Sequence, residues 1–168
     1  PTLLSDLSLI KDVLKTKGFN NVLLLSGKRI CKDTFYLNLY DSLKDKFNII
    51  QYNDIPSDPD IDSIEKAVQI AKINNIECVV AVGGGSTMDA GKVIAARITN
   101  KKSIRQMRGI LKITKKPLFM ILVPTTCGTG SECTVASVVT DLERNEKYSQ
   151  RSIKSRRTRF GSSVFTGI

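Results

Sequence analysis

Histidine and tryptophan are both absent from the 168-residue sequence, and no apolar run is long. Without imidazole, the chain has no Ser-His-Asp or Cys-His catalytic group and no histidine ligand for a metal. The longest apolar runs, such as Cys78–Val82, are far too short to span a bilayer. Residues 1–6 show neither the basic region nor the cleavage site of a secretory signal. These absences exclude the histidine-dependent hydrolases, and no membrane partner is expected.

Cysteine is also sparse, and its spacing is uninformative for metals. The four cysteines are Cys31, Cys78, Cys127 and Cys133, and no two of them form a C-x-x-C pair. This excludes zinc-ribbon and thioredoxin-like motifs. Cys78 lies inside an apolar run, where we expect a small buried side chain. Separated thiols without a secretory signal favour a reducing, cytoplasmic location.

The net charge of +10 is concentrated in two segments. Residues 101–116 carry seven basic residues and no acid, and residues 150–168 carry five and no acid. No aromatic residue interleaves the first segment, so it lacks the stacking side chains of a single-strand binder. We interpret both segments as solvated surface rather than as a polyanion site. Nucleic acid is therefore not favoured as a partner, and a basic nucleic-acid-binding module stays as the alternative function.

Short apolar runs alternate with amphipathic segments along most of the chain. The predicted helices cover 3–17, 34–46, about 60–74 and the segment after Ser86, and the predicted strands cover 21–26, 47–50, 77–82, 118–123 and 135–141. Near-continuous apolar strands between helices are typical of a parallel sheet covered on both faces. The prediction is one Rossmann-like α/β domain over residues 1–149, followed by a basic, irregular tail over 150–168.

A glycine-rich loop follows the strongest predicted strand, with Gly-Gly-Gly-Ser-Thr-Met-Asp at residues 83–89. Three glycines let the backbone approach a phosphate, and the start of the next helix offers unpaired N–H groups and a positive dipole. Ser86 and Thr87 add hydroxyls that can cap this helix or bind a phosphate oxygen. The spacing matches neither G-x-G-x-x-G nor the P-loop. We favour a phosphate site of another kind over a ligand-free turn.

A second loop of small residues follows the apolar strand at 118–123 and reads Pro-Thr-Thr-Cys-Gly-Thr-Gly-Ser-Glu at 124–132. Hydroxyls and backbone amides can line a ligand there while bulky side chains stay away. In an open parallel sheet, ligands bind at the carboxyl ends of the strands. Both loops follow strands of the predicted sheet, so we expect them to face one crevice.

The two motifs together resemble the iron-containing (group III) alcohol dehydrogenases. The similarity is carried by Gly-Gly-Gly-Ser-x-x-Asp-x-x-Lys at 83–92 and Pro-Thr-Thr-x-Gly-Thr-Gly-Ser-Glu at 124–132, with matching spacing. It covers residues 1–149, which correspond to the family's N-terminal nucleotide-binding domain. Relatives of the glycerol dehydrogenase and dehydroquinate synthase type share the architecture, but the 124–132 loop fits the alcohol dehydrogenase branch better.

The resemblance implies roles for matching positions. Gly84, Gly85, Ser86 and Thr87 would hold the cofactor pyrophosphate with Asp89 nearby, Thr125, Thr126 and Thr129 would line the adenosine side, and Ser131 would lie toward the nicotinamide. In the family, the residue that closes the first strand faces the adenosine ribose, and NAD-preferring members often carry Asp there. Here that position is Gly27, followed by Lys28 and Arg29. We therefore expect NADP to be favoured over NAD.

The resemblance also implies what this chain lacks. The family reaction is metal-assisted hydride transfer between a primary alcohol or aldehyde and NAD(P). Its metal, iron or zinc, is held by one Asp and three His in a C-terminal helical domain. No histidine occurs here, so we expect no metal-binding or catalytic residues in this chain, and a nucleotide-binding domain without turnover is one alternative. A second chain that supplies the metal domain is another.

We interpret the change of composition after Ser149 and the missing initiator Met as signs of a fragment, from a truncation, a frameshift or a misjoined gene. The expected partners are a nicotinamide nucleotide and, for full-length members of the family, a small alcohol or aldehyde. A homodimer is left open.

Overall fold

The computed structural model describes residues 2–4, 6–108, 113–126, 128–134, 136–151 and 162–165. Its strands are β1 (Thr2–Leu4), β2 (Asn21–Leu25), β3 (Asn48–Tyr52), β4 (Cys78–Gly83), β5 (Phe119–Pro124), β6 (Ala136–Asp141), β7 (Glu146–Arg151) and β8 (Ser162–Phe165). Its helices are α1 (Ser8–Lys17), α2 (Thr34–Lys44), α3 (Ile61–Ile73) and α4 (Gly85–Thr99). Within the described ranges, a six-stranded sheet runs in the order β1-β8-β5-β4-β2-β3, with all neighbours parallel. Strands β6 and β7 form a separate antiparallel hairpin.

Local side chains explain where the helices begin and end. Gly18 closes α1 with φ of 70°, a left-handed conformation that glycine adopts without steric cost, and its N–H donates to the carbonyls of the last turn. The Asp33 carboxylate accepts a 2.9 Å hydrogen bond from the Phe35 amide at the start of α2. The Asp60 carboxylate does the same for the Ser63 amide, at 2.8 Å, so Asp60 is the cap of α3.

The sheet separates two hydrophobic cores, because successive strand residues point to opposite faces. On one face, Leu23, Val79 and Leu122 pack with side chains of α3 and α4. On the other, Leu24 and Val80 pack with side chains of α1 and α2. Both faces are therefore covered by helices, which confirms the predicted Rossmann-like α/β class.

Helix α4 lies unusually close to the sheet. An added Cβ at Gly91 would lie 2.9 Å from the Cβ of Ala81 on β4, closer than two carbon atoms can approach. Ten consecutive residues of α4, from Thr87 to Ala96, are buried. The predicted burial of Cys78 on β4 is also confirmed, and burial raises the pKa of its thiol.

The sequence predictions are wrong at both ends of the chain. A helix was predicted over 3–17, but Thr2–Leu4 form strand β1 and α1 begins at Ser8. The Asp6 carboxylate turns the chain there by accepting a 2.7 Å hydrogen bond from the Ser8 amide. The tail over 150–168 was predicted to be irregular, but β7 extends to Arg151 and residues 162–165 form β8 between β5 and β1. Residues 152–161 and 166–168 lie outside the described residues.

The β6–β7 hairpin is tied to the first basic segment by ion pairs. The Arg105 guanidinium makes two hydrogen bonds to the Asp141 carboxylate, at 2.7 and 3.0 Å, and holds the pKa of that carboxyl below its usual range. Arg108 pairs with Glu146 at 2.6 Å. These two arginines of the 101–116 segment are thus matched by acids of the hairpin, which argues against reading the whole segment as a polyanion site.

Candidate functional site

A cavity of about 660 Å³ opens at the carboxyl edge of the sheet, where the strand order changes direction between β2 and β4. This is where ligands bind in open α/β sheets, and the volume suits a small-molecule ligand. We call residues Gly84–Thr87, at the start of α4, the wall. We call residues 27–30 and 54–57, after β2 and β3, the rim. Thr125 and Thr126, after β5, complete the lining.

The wall is made mainly of backbone. Gly84 is the residue that precedes α4, and no side chain caps the helix. The predicted capping by Ser86 or Thr87 is therefore wrong: the Ser86 hydroxyl instead donates to the Ser57 carbonyl of the rim, and Thr87 is buried. A helix start without a side-chain cap keeps its N–H groups and positive dipole end for an anionic ligand.

The glycines of the wall let the loop after β5 approach closely. A Cβ added at Gly84 would lie 3.2 Å from the Thr126 hydroxyl, and one added at Gly85 would lie 3.3 Å from the Ser131 hydroxyl. The two predicted loops therefore meet, as the sequence suggested. The Thr125 amide also donates to the Gly83 carbonyl at 3.0 Å, which fixes the start of one loop to the end of the neighbouring strand.

Thr125 supplies an unsatisfied polar atom beside the cavity. Its hydroxyl oxygen is buried and has no hydrogen-bond partner within the described part of the chain. A buried hydroxyl without a partner is costly, because it has lost water and gained nothing in return. A polar ligand atom in the cavity would satisfy it. The glycine wall, the uncapped helix and this hydroxyl all fit a phosphate-containing nucleotide.

Three predicted site residues lie beside the cavity without lining it. The Asp89 carboxylate is buried and accepts hydrogen bonds from Lys92 Nζ at 2.8 Å, from the Ser131 hydroxyl at 3.1 Å and from the Val138 amide at 2.9 Å. Thr129 and Ser131 lie against Gly85 of the wall. The structure thus makes Asp89 an anchor for the second loop and for β6, whereas the other seven predicted residues line the cavity.

The sequence analysis included Lys92, the buried lysine at the centre of this anchor, in the 83–92 motif but assigned it no role. Besides Asp89, Lys92 Nζ donates to the Ala136 carbonyl at 2.8 Å and lies 3.4 Å from the Thr134 hydroxyl. Lysine and aspartate at positions i and i+3 are usually an exposed helical pair, so the spacing alone gave no sign of burial. The signal that could have revealed it is the small, apolar composition of the rest of α4.

The rim is exposed and charged, and a buried network supports it. Lys28 Nζ lies 3.4 Å from Asp54 Oδ1, with side chains 83% and 64% exposed. Beneath them, the Tyr36 hydroxyl lies 2.7 Å from Asn53 Oδ1, which also accepts a 2.9 Å hydrogen bond from Ser26. Burial raises the pKa of Tyr36 to about 12. The sequence analysis did not predict the contact between Asp54 and Lys28.

The parallel, helix-covered sheet and the glycine-lined cavity at its switch point define the Rossmann-like class of α/β domain. The chain belongs to the iron-containing alcohol dehydrogenases, whose family model matches residues 5–157. A curated relative, alcohol dehydrogenase 4 of Schizosaccharomyces pombe, is 31% identical over 139 residues, which are 80% of this chain and 32% of the relative.

Solved structures agree with this assignment. An alcohol dehydrogenase from Oenococcus oeni has a TM-score of 0.88 at 25% identity, covering 98% of this chain and 44% of that one. A sulfoacetaldehyde reductase from Bifidobacterium kashiwanohense, solved in complex with NAD+, has a TM-score of 0.82 at 28% identity, covering 98% and 43%. The chain thus spans about a third of the curated relative and less than half of these structures.

Two further properties bear on function. Across the described residues, no three or more His, Cys, Asp or Glu side chains are grouped so that they could hold a metal ion. With no histidine in the sequence, the residues present do not fit the metal site that the family resemblance implies. No helix in the described ranges is long and apolar enough to cross a membrane. The cytoplasmic location and the homodimer stay predictions.

Proposed function

We propose that this chain binds a nicotinamide nucleotide in the cavity between the wall and the rim. The observation that carries the proposal is the start of α4, where Gly84 and Gly85 present backbone to the cavity without a side-chain cap. Family membership supports the same assignment. Gly84–Thr87 would hold the pyrophosphate, and the unpartnered Thr125 hydroxyl would bond a polar atom of the nucleotide.

In this proposal the chain supplies the nucleotide half of an alcohol dehydrogenase. The full reaction would transfer hydride between a primary alcohol or aldehyde and the nicotinamide, whose ring supplies the redox chemistry. This chain's residues bind and orient the nucleotide, and Asp89 holds Ser131 and β6 in place beside Gly85. Because the residues present do not fit the family's metal, we propose that the chain by itself binds without turnover.

We further propose that NADP is favoured over NAD. Gly27 places no carboxylate at the end of β2, so nothing at that position repels a 2′-phosphate. Lys28 and Arg29 follow it and line the cavity, where they would attract the additional negative charge.

The test is an equilibrium titration of NADPH and of NADH into the purified chain, in which calorimetry measures the binding. Gly85→Asp puts a negative side chain where a Cβ already lies 3.3 Å from Ser131 Oγ, so we expect at least about a tenfold loss of affinity for both nucleotides. Gln69→Asp, an exposed position on α3, adds the same charge away from the cavity and should bind like the original chain.

A milder variant protects the test against misfolding. Thr125→Val keeps the shape of the side chain and removes the unpartnered hydroxyl, and we expect about a fivefold loss of affinity. Circular dichroism establishes that each variant is folded. Unchanged binding in both Gly85→Asp and Thr125→Val, or no binding by the folded original chain, contradicts the proposed site.

A further inference from the structure

The charged side chains among the described residues that line the cavity are Lys28, Arg29 and Asp54, all on the rim. NAD and NADP differ in one group, a 2′-phosphate in place of a hydroxyl. With the pyrophosphate at the uncapped start of α4, as proposed above, the rim is the charged part of the cavity lining left for the rest of the nucleotide. Any discrimination by charge between the two nucleotides must therefore come from these side chains.

The carboxylate of the rim is on the loop after β3, whereas Gly27, just after β2, has no side chain. An added Cβ at Gly27 would lie 3.1 Å from the Ile55 carbonyl oxygen, so a side chain at position 27 would require the loop after β3 to shift by a few tenths of an ångström. Leu25 and Tyr52 are paired in the parallel register of β2 and β3. Residues 28 and 54 follow these partners and emerge side by side, which brings Lys28 Nζ within 3.4 Å of Asp54 Oδ1.

We propose that the Lys28–Asp54 pair sets the choice between NADP and NAD. This inference rests on the proposed nucleotide site, and it adds Asp54 as the residue that limits the preference of that site for NADP. The Lys28 ammonium binds a 2′-phosphate, and the Asp54 carboxylate accepts a hydrogen bond from a 2′-hydroxyl. Both side chains are largely exposed, so their mutual attraction is weak and either one can exchange its partner for the nucleotide at little cost.

Removing the charge of Asp54 and removing the charge of Lys28 should change NADPH affinity in opposite directions. Asp54 repels a 2′-phosphate and occupies Lys28, so Asp54→Asn should strengthen NADPH binding by about threefold to tenfold at low salt. Lys28→Gln removes the ammonium and should weaken NADPH binding by a similar factor. NADH has no 2′-phosphate, so its affinity should change by less than about twofold in Lys28→Gln and should fall slightly in Asp54→Asn.

The experiment measures dissociation constants of NADPH and NADH by calorimetry for the original chain, Asp54→Asn, Lys28→Gln and the double variant, at two salt concentrations. Higher salt should shrink the NADPH effects and leave the NADH values almost unchanged, because exposed charges are screened. Asp41→Asn is the matched control, since Asp41 forms an exposed pair with Lys44 on α2 outside the cavity lining. It should leave the NADPH-to-NADH ratio unchanged.

The outcomes separate this inference from the proposed function. If both nucleotides bind and are lost in Gly85→Asp, but Asp54→Asn and Lys28→Gln leave the ratio unchanged, the discriminating pair is wrong and the site stands. If Asp54→Asn weakens NADPH, Asp54 does not repel the phosphate and the inference is also overturned. If neither nucleotide binds the folded original chain, both the site and the inference fail.

Discussion

The wall and the rim enclose the same cavity but are held by opposite kinds of interaction. The wall lies at the start of α4, in which Thr87–Ala96 are buried, and it is backed by the Asp89–Lys92 pair with side chains only about a tenth exposed. The rim carries the Lys28–Asp54 pair, with both side chains more than half exposed. A buried ion pair depends on complete hydrogen bonding, whereas an exposed pair is screened by water.

This difference separates two tasks of one site. The wall presents backbone in a fixed position, which suits recognition of a pyrophosphate common to all nicotinamide nucleotides. The rim presents exposed charges, which suit a distinction between nucleotides that differ by one phosphate. Among the described residues, one hydrogen bond joins the two regions directly, from the Ser86 hydroxyl of the wall to the Ser57 carbonyl of the rim. Variants of each region should therefore have different signatures.

The largest effect is expected from the anchor of the wall. Lys92→Met leaves the Asp89 carboxylate buried without its cationic partner, and we expect the free energy of unfolding to fall by about 3 kcal/mol. Urea denaturation at pH 7 measures it. Lys66→Met, at an exposed position of α3, is the matched control and should change stability by less than about 0.5 kcal/mol. Equal effects of the two variants would show that the wall is not anchored by this pair.

A smaller effect is expected beneath the rim. Tyr36→Phe removes the hydroxyl that lies 2.7 Å from Asn53 Oδ1 and 3.0 Å from Gln51 Oε1, and we expect a loss of about 1 kcal/mol. Tyr40→Phe on the same helix is the control. Because the network supports the loops that carry Lys28 and Asp54, Tyr36→Phe should also weaken nucleotide binding modestly. An unchanged denaturation midpoint would contradict a supporting role for the hydroxyl.

The smallest effect on stability is expected at Asp58, which directly follows rim residues 54–57, and it depends on pH. Asp58 accepts hydrogen bonds from Lys147 at 2.9 Å and Thr140 at 3.1 Å, and the Lys147 contact lowers its pKa below the usual 3.8. A carboxyl with a lowered pKa in the fold stabilises it above pH 4 and loses that contribution as the pH falls through the lowered value.

Asp58→Asn tests this by removing the titrating group. The original chain should lose slightly more stability than Asp58→Asn when urea midpoints are compared between pH 7 and pH 3, and the two proteins should converge at the acid end. Parallel pH profiles would show that the contacts of Asp58 with Lys147 and Thr140 of the hairpin contribute nothing to stability.

The wall was predictable from sequence because its chemistry is local. Three consecutive glycines followed by hydroxyl residues at the end of an apolar strand predict a loop whose backbone a ligand can approach closely. The alternation of strands and helices likewise predicted the fold class, since each apolar strand must be covered on both faces. These signals need no knowledge of which strands are neighbours.

The rim pair, the anchor lysine and the terminal strands depend on distant parts of the chain. Lys28 and Asp54 meet only because β2 and β3 pair in one register. Lys92 is buried only because β6 returns over α4. Strands β1 and β8 pair with each other, and neither carries a run long enough to be recognised alone. Contacts of this kind follow from topology, which hydrophobic periodicity does not specify.

The contact between Gly91 and Ala81 sets a limit on how the protein can change. Because a Cβ added at Gly91 would lie only 2.9 Å from the Cβ of Ala81, α4 packs on β4 at a distance that leaves no room for a side chain at position 91. Any larger residue at either position lifts the helix, and its first turn rises with it, away from the strand ends that frame the cavity. The charges of the rim can therefore be changed to suit a new nucleotide, but the distance between α4 and β4 stays the same and limits the position of every ligand in the cavity.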